Sequence, residues 1–301
     1  MMNLEEFISF CQKLGCSVQT ECCLNSYTTF RIGGKCSALV EVNSAVSASE
    51  LIKYIWKNNI KYAVLGKGSN VLVSDEGFDG VVLHIGNDFS DISVNGSIIK
   101  ADAGASLASV CKKAQQLGLS GMENLYGIPG TAGGGLYMNA GAYGTEMKDV
   151  VLSAEYIDEN GNICTMMAAD MELSYRMSVF CNKKFIITSV TFGLSEGDPE
   201  AVKAAMTECM EKRKAKQPLE FPSAGSTFKR PEGSYASLLI DECGLKGLSV
   251  GGAMVSEKHC GFVINTGNAT CTDVIGLCSK IKDIVKEKTG YTLEMEPIIL
   301  K

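Results

Sequence analysis

The sequence predicts an α+β fold in two parts, divided near Gly197 to Glu200. Two observations carry that expectation. Between Tyr62 and Ser74 the pattern reads strand, glycine loop, strand, whereas a doubly wound nucleotide fold would start a helix straight after the loop. From Pro199 onward helical patterns dominate, and the chain closes on a strand-like run, "YTLEMEPIIL". A chain of 301 residues has room for two such parts, and 46% hydrophobic content supplies a large core.

Taken in order, "MMNLEEFISFCQKLG" places Leu4, Phe7, Ile8, Cys11 and Leu14 on one helical face; it reads as neither an export signal nor a membrane span. "SASELIKYIWKNN" repeats that spacing at Leu51, Ile52, Ile55 and Trp56. Strands are expected at Tyr62–Leu65, Val71–Ser74 and Val81–Ile85, with a tight loop over Gly66–Asn70 and a further strand in "SIIKADAG". "SLASVCKKAQQLG" is a helix with Gly118 as its C-cap. "VLSAEYIDENGNICTM" reads as a hairpin around Asn160–Gly161, and the β-branched and aromatic residues of "FIITSVTFGL" make it a strand. In the second part, Pro199 suits the first turn of a helix that stops before Pro218. "SYASLLIDECG" and "CTDVIGLCSKIKDIVKEKTG" are two more helices, the latter with a Thr270–Asp273 capping box and Gly290 as its stop.

Composition narrows the function. A net charge of −6 argues against a nucleic-acid binder, which needs a basic face. No two of the 13 cysteines are three residues apart, which removes the C-x-x-C redox and zinc patterns. His84 and His259 are the only histidines and lie far apart in sequence, so no metal site is expected. The cysteines read as small buried residues of a chain kept in a reducing cytoplasm.

Two glycine-rich loops carry the chemistry. "GKGSN" at 66–70 follows a strand, but Val71 stands where a dinucleotide fingerprint needs its third glycine. A strand–loop–strand can still bind phosphate through its backbone N–H groups, with Ser69 and Asn70 as further donors; a plain hairpin turn is the bland alternative. "YGIPGTAGGGLYMNAGAYG" at 126–144 has no charge, too much glycine for a good helix, and little side chain to bury. Its use is to bring backbone N–H groups close to a ligand, and both loops together suit a diphosphate. No P-loop and no G-x-S-x-G elbow occurs. Three further features stand out: Arg176 among apolar residues, Ser226 just ahead of Lys229 and Arg230, and Glu294 with Glu296 on one face of the last strand. Each has a bland reading as a solvated surface group.

The chain resembles the UDP-N-acetylenolpyruvoylglucosamine reductase (MurB) family along nearly its whole length. The resemblance rests on "YTTFRIGG" at 27–34, "LGKGSNVLVSD" at 65–75, "GIPGTAGGGLYMNAGAYG" at 127–144, "SYRMSVF" at 174–180, "QPLEFPSAGSTFKRP" at 217–231, "GLSVGGAMVSEKHCGFVIN" at 247–265 and "LEMEP" at 293–297. It looks like the shorter subtype that lacks a substrate-clamping tyrosine loop; Ala132 stands where members often carry valine.

The resemblance implies a two-part FAD-binding region of the vanillyl-alcohol-oxidase type over 1–198, with a small part to about 62 and a larger one over 63–198. It further implies a substrate-binding α+β domain over 199–290, and a closing strand over 291–301 that returns to the FAD-binding region. It also implies an enzyme that uses NADPH and FAD to reduce the enolpyruvyl ether of a UDP-sugar for peptidoglycan synthesis. By motif match, Arg176 and Glu296 would meet the substrate carboxylate and Ser226 would donate a proton. FAD would be held by Gly66, Lys67, Gly68, Ser69, Asn70, Gly127, Ile128, Pro129, Gly130, Thr131, Gly133, Asn139, Gly141, Ala142 and Tyr143. Tyr175, Lys216, Lys229 and Arg230 would hold the UDP-sugar. Neither loop offers a histidine or cysteine, so the flavin is expected to be noncovalent. A small-molecule substrate with no nucleic acid, membrane or obligate protein partner completes the expectation. The rivals are another flavin oxidoreductase of this fold acting on an alcohol or sugar, and a sugar-nucleotide-binding regulator without turnover.

Overall fold

The structure, a computed structural model, describes residues 3–301. Its seven helices are α1 (Leu4–Lys13), α2 (Ala45–Lys57), α3 (Leu107–Gln116), α4 (Ala132–Tyr137), α5 (Pro199–Lys216), α6 (Ala236–Glu242) and α7 (Cys271–Thr289). The chain forms two compact units that interleave in sequence. One takes the chain to Thr20, Ala38–Lys67 and Gly80–Lys212; the other takes Glu21–Ser37, Gly68–Asp79 and Arg213–Lys301. Contiguous segments divided near residue 198 do not describe this arrangement, because two short early segments group with the C-terminal third.

The first unit is built on a five-stranded sheet with all its pairs antiparallel. Its order is Ile163–Met167, Val151–Ile157, Ile186–Gly193, Ile98–Asp102, Ile92–Asn95. The expected hairpin closes through Gly161 at φ +79°, with the Asp158 carboxylate accepting from the Asn160 and Asn162 amides. In this unit residues 38–41 of the strand Lys35–Glu41, residues 80–84 of the strand Phe78–His84, and Tyr62–Leu65 lie side by side in that order, the last two parallel. Phe7 and Cys11 of α1, and Leu51, Ile52 and Ile55 of α2, enter the core of this unit, as their spacing required.

The second unit has an antiparallel sheet, Ser249–Val250, Ala253–Val255 and Val263–Asn265, and a core in which α6 and α7 bury Leu239, Ile240, Val274, Leu277 and Ile281. The capping box of α7 and its left-handed Gly290 stop are as the sequence required. Two expectations fail locally. The closing strand is not continuous: only Ile298–Leu300 forms a strand, paired parallel with Val71–Val73, while Met295 makes a separate bridge to Phe228. Pro297 separates the two because it has no N–H to give a ladder. Residues 132–137 are helical despite their glycines, for a reason that belongs to the site.

Candidate active site

In the first unit, α4 begins at Thr131, whose hydroxyl accepts from the Gly134 amide at 3.2 Å. Propensity disfavours glycine here, but tertiary packing overrides it. A Cβ on Gly133 would stand 2.8 Å from that of Ala103, and one on Gly135 would stand 3.0 Å from Leu107. Glycine therefore lets the helix lie flat on the end of Ile98–Asp102 and on α3. The amides of Ala132 and Gly133 donate to the carbonyls of Ala105 and Ala103 at 2.7 and 2.9 Å. The Gly133 N–H is thereby spent on the protein, so any contact of Gly133 with a cofactor would not use that donor.

The other loop meets this one within the same unit. A Cβ on Gly66 would come within 2.7 Å of Thr131 Oγ1, so only glycine brings 66 and 131 this close. None of the amides of Gly66, Lys67, Gly68, Ser69 and Asn70 is spent on a backbone acceptor among the described residues. Gly68 sits at φ +59°, and a Cβ there would run into the Tyr27 carbonyl in the second unit, to which Gly68 itself belongs. A run of unspent backbone donors with close-approach glycines fits an anionic diphosphate, as FAD would present.

The rest of the long glycine segment shapes a second feature. Gly141–Ala142 pairs with Thr145–Glu146 in a hairpin whose turn is Tyr143 (φ +52°) and Gly144 (φ +91°). Next to it, Ser174 and Met177 exchange hydrogen bonds across a turn that carries Tyr175 and Arg176 at its tip. Arg176 has φ +55°, a conformation that turns usually reserve for glycine. Its guanidinium lies over the Tyr175 ring at 5.0 Å and reaches the Gly141 carbonyl at 3.5 Å. Asn139 is fully buried. Its amide donates to Ser174 O at 2.9 Å and to Glu146 Oε2 at 3.1 Å, and its carbonyl accepts from the Lys148 amide at 2.9 Å. With both N–H groups and its oxygen used, the Asn139 side chain shapes the loop.

In the second unit, the run Thr227–Lys229 lies antiparallel to Glu294–Glu296. Glu296 N donates to Thr227 O and Lys229 N donates to Glu294 O, both at 2.9 Å. Ser226 is exposed, one residue before this ladder, and follows Gly225 at φ +77°. Thr227 is buried, donates its amide to Gly261 O and accepts from Val263 N, both at 2.8 Å. Asn70, at the end of the glycine loop, accepts from Ile298 N at 2.9 Å and donates to Glu296 O at 3.4 Å. The structure thus brings Ser226, Glu296 and Asn70 into one region of one unit, while Arg176 belongs to the other. Leu293 and Met295 face the core and Glu294 is exposed, as alternation required.

The basic residues separate. Lys229 forms an ion pair with Glu294 at 2.7 Å, and Arg230 lies over the Tyr235 ring at 4.5 Å. Lys216 ends α5. His259, to which sequence reasoning gave no role, accepts from the Gly261 amide through Nδ1 at 3.1 Å, and Gly261 in turn accepts from Thr227. Burial pushes its pKa down and the charge of Lys216 adds to the push, against a smaller upward pull from a backbone hydrogen bond. The stretch "SEKHCGF", quoted for its resemblance alone, was the signal that could have found it. Among the described residues no cluster of His, Cys, Asp or Glu could hold a metal, and no helix is long and apolar enough to cross a membrane.

Comparison with known proteins follows this geometry. A family model described as "UDP-N-acetylenolpyruvoylglucosamine reductase, C-terminal domain" matches residues 217–300, and one described as "FAD binding domain" matches residues 36–167. The UDP-N-acetylenolpyruvoylglucosamine reductase of Caldanaerobacter subterraneus subsp. tengcongensis is 47% identical over 91% of this chain and 90% of its own. That of Clostridioides difficile is 42% identical over 92% of this chain and 91% of its own. Among solved structures, the UDP-N-acetylenolpyruvylglucosamine reductase of Thermus caldophilus aligns with a TM-score of 0.81 at 34% identity, covering 95% of this chain and 99% of that one.

Proposed function

The chain belongs to the UDP-N-acetylenolpyruvoylglucosamine reductase family, and on that premise we propose the residues through which it works. It is an FAD-dependent oxidoreductase that uses NADPH to reduce the enolpyruvyl group of UDP-N-acetylenolpyruvoylglucosamine, giving UDP-N-acetylmuramate for peptidoglycan synthesis. FAD, when bound, would supply the hydride chemistry that links NADPH to the terminal carbon of the substrate double bond.

The remaining work falls to this chain. The amides of Gly66–Asn70 would hold the cofactor diphosphate, and residues 127–130 with 141–143 would flank the flavin. As hydride arrives, negative charge spreads onto the substrate carboxylate as an enolate. The Arg176 fork meets that carboxylate and binds it more strongly as charge grows. Ser226 Oγ gives its proton to the adjacent carbon; serine is a weak acid, but an enolate carbon is a strong base. Glu296 acts at the same group, as an orienting carboxylate or as a protonated donor. Lys216, Lys229, Arg230 and Tyr175 bind the UDP-sugar. All 13 cysteines are free, which supports a reducing, cytoplasmic setting.

The observation that carries the assignment of Ser226 is its place directly before the Thr227–Glu296 hydrogen bond, on an exposed turn opened by Gly225. Ser226→Ala is expected to leave NADPH-dependent bleaching of the flavin near normal. It is expected to slow reoxidation by the enolpyruvyl substrate roughly 100- to 10,000-fold. Stopped-flow absorbance separates the two steps. Equal slowing of both would remove Ser226 from the proton-donor role.

A further inference from the structure

Arg176 stands on a left-handed turn, and such strain persists only where surrounding structure over-determines it. The structure shows what does so. Alternate residues of the glycine segment, Tyr137, Asn139 and Gly141, each hold one point of the turn. Tyr137 O accepts from Ser178 Oγ at 2.7 Å and from Cys181 Sγ at 3.0 Å. Asn139 donates to Ser174 O at 2.9 Å, at the other foot of the turn. Gly141 O accepts from the Arg176 guanidinium at 3.5 Å, at the tip. Asn139 is itself left-handed, at φ +40°, and fully buried.

We propose that Asn139 is a positioning residue for substrate reduction. Through the Tyr137–Gly141 clasp it fixes the turn that aims Arg176, and so sets the fork against the substrate carboxylate. Asn139 touches neither substrate nor cofactor in this role. The residue type is required because one side chain must donate in two directions and accept in a third. Aspartate lacks the donors, and alanine takes one of two donors from Ser174 O and from Glu146 Oε2 and leaves the Lys148 amide without its acceptor. Misplacement of a substrate-orienting group by about 1 Å costs on the order of 100-fold in rate. The inference rests on the reading of Arg176 given above, and its test separates the two.

The experiment is a double-mutant cycle on the holoenzyme with Asn139→Ala, Arg176→Ala and both together, read by anaerobic single-turnover stopped-flow. Asn139→Ala is expected to slow reoxidation of the flavin by the enolpyruvyl substrate about 100-fold. Bleaching by NADPH should be unchanged. In the Arg176→Ala background the Asn139 change is expected to slow reoxidation no further, since a residue that acts through Arg176 has nothing left to position. Full multiplicative effects, or equal slowing of bleaching and reoxidation in Asn139→Ala, would overturn the proposal and make Asn139 a general structural or cofactor residue. If Arg176→Ala alone left reoxidation intact, the reading of Arg176 would fall first. Should Asn139→Ala not retain flavin, the cycle is run with Ser178→Ala at the opposite foot of the clasp. Non-additivity with Arg176→Ala then supports the clasp and additivity refutes it.

Discussion

Arg176 shows how much a single residue can reveal once its backbone is known. In sequence it is one arginine among apolar neighbours, and taken alone it reads first as a surface residue with a packed stem. Its φ of +55° and its reach to Gly141 O are invisible without the fold. The fork geometry also makes a prediction. Lysine keeps the charge but cannot grip a carboxylate at two points. Arg176→Lys is therefore expected to slow substrate-dependent flavin reoxidation more than it raises the substrate Kd, and single-turnover rates across substrate concentrations measure both. A pure loss of affinity with an unchanged limiting rate would mean the fork serves binding alone. Asn139 is the opposite lesson. The resemblance implied a cofactor contact for it; its burial and its three side-chain hydrogen bonds to the protein could not be read from "MNAGAYG".

At the scale of elements, legibility followed the source of stability. The capping box of α7, the Gly118 and Gly290 stops and the Asn160–Gly161 turn use local chemistry, and they were readable. Helix α4 was not, because it is stabilised by a flat glycine face against Ala103 and Leu107, contacts distant in sequence. Nor was the second cap of α7. The Asp75 carboxylate, 196 residues away, accepts from Cys271 N at 2.6 Å, and from Thr272 N and Oγ1 at 2.9 and 2.7 Å. Asp75 follows the strand Val71–Val73 that pairs with Ile298–Leu300, so it ties α7 to the segment that leads from the glycine loop. Partial burial opposes its ionised form, but the hydrogen bonds from Thr272 and Cys271 outweigh it and hold the pKa below the ordinary carboxylate value. A carboxylate lowered in this way adds stability in full above its unfolded pKa of about 3.9, and loses it as pH falls through the folded value. Asp75→Asn keeps an acceptor and loses the charge, so it is expected to cost about 0.5 kcal/mol near neutral pH at this exposed position. The gap to wild type should close as pH drops below about 4. Denaturant melts over a pH series check this; a gap that stays constant would mean the charge of Asp75 contributes nothing.

At the scale of the molecule, the family was legible because its motifs are local runs in a fixed order, while the interleaving of the two units was not. Segments 21–37 and 68–79 group with the C-terminal third through contacts that no local pattern encodes. Neither glycine loop contains a histidine or cysteine, so the flavin is expected to be held without a covalent bond. Acid precipitation should leave all flavin in the supernatant, and flavin fixed to the pellet would contradict the reading of the loops. Gly68→Ala, which sets a methyl group against the Tyr27 carbonyl at φ +59°, should give a folded chain that purifies with little flavin.

The central claim is that this chain passes hydride from NADPH to an enolpyruvyl carbon and a proton from Ser226 to its neighbour. The most direct measurement is anaerobic. The flavin band is bleached with NADPH, UDP-N-acetylenolpyruvoylglucosamine is added, and absorbance and product mass are followed together. The account predicts that the band returns and that one product per flavin forms, heavier than the substrate by a hydride and a proton. A band that stays bleached in the presence of that substrate, yet returns with an unrelated oxidised alcohol or sugar, would contradict it.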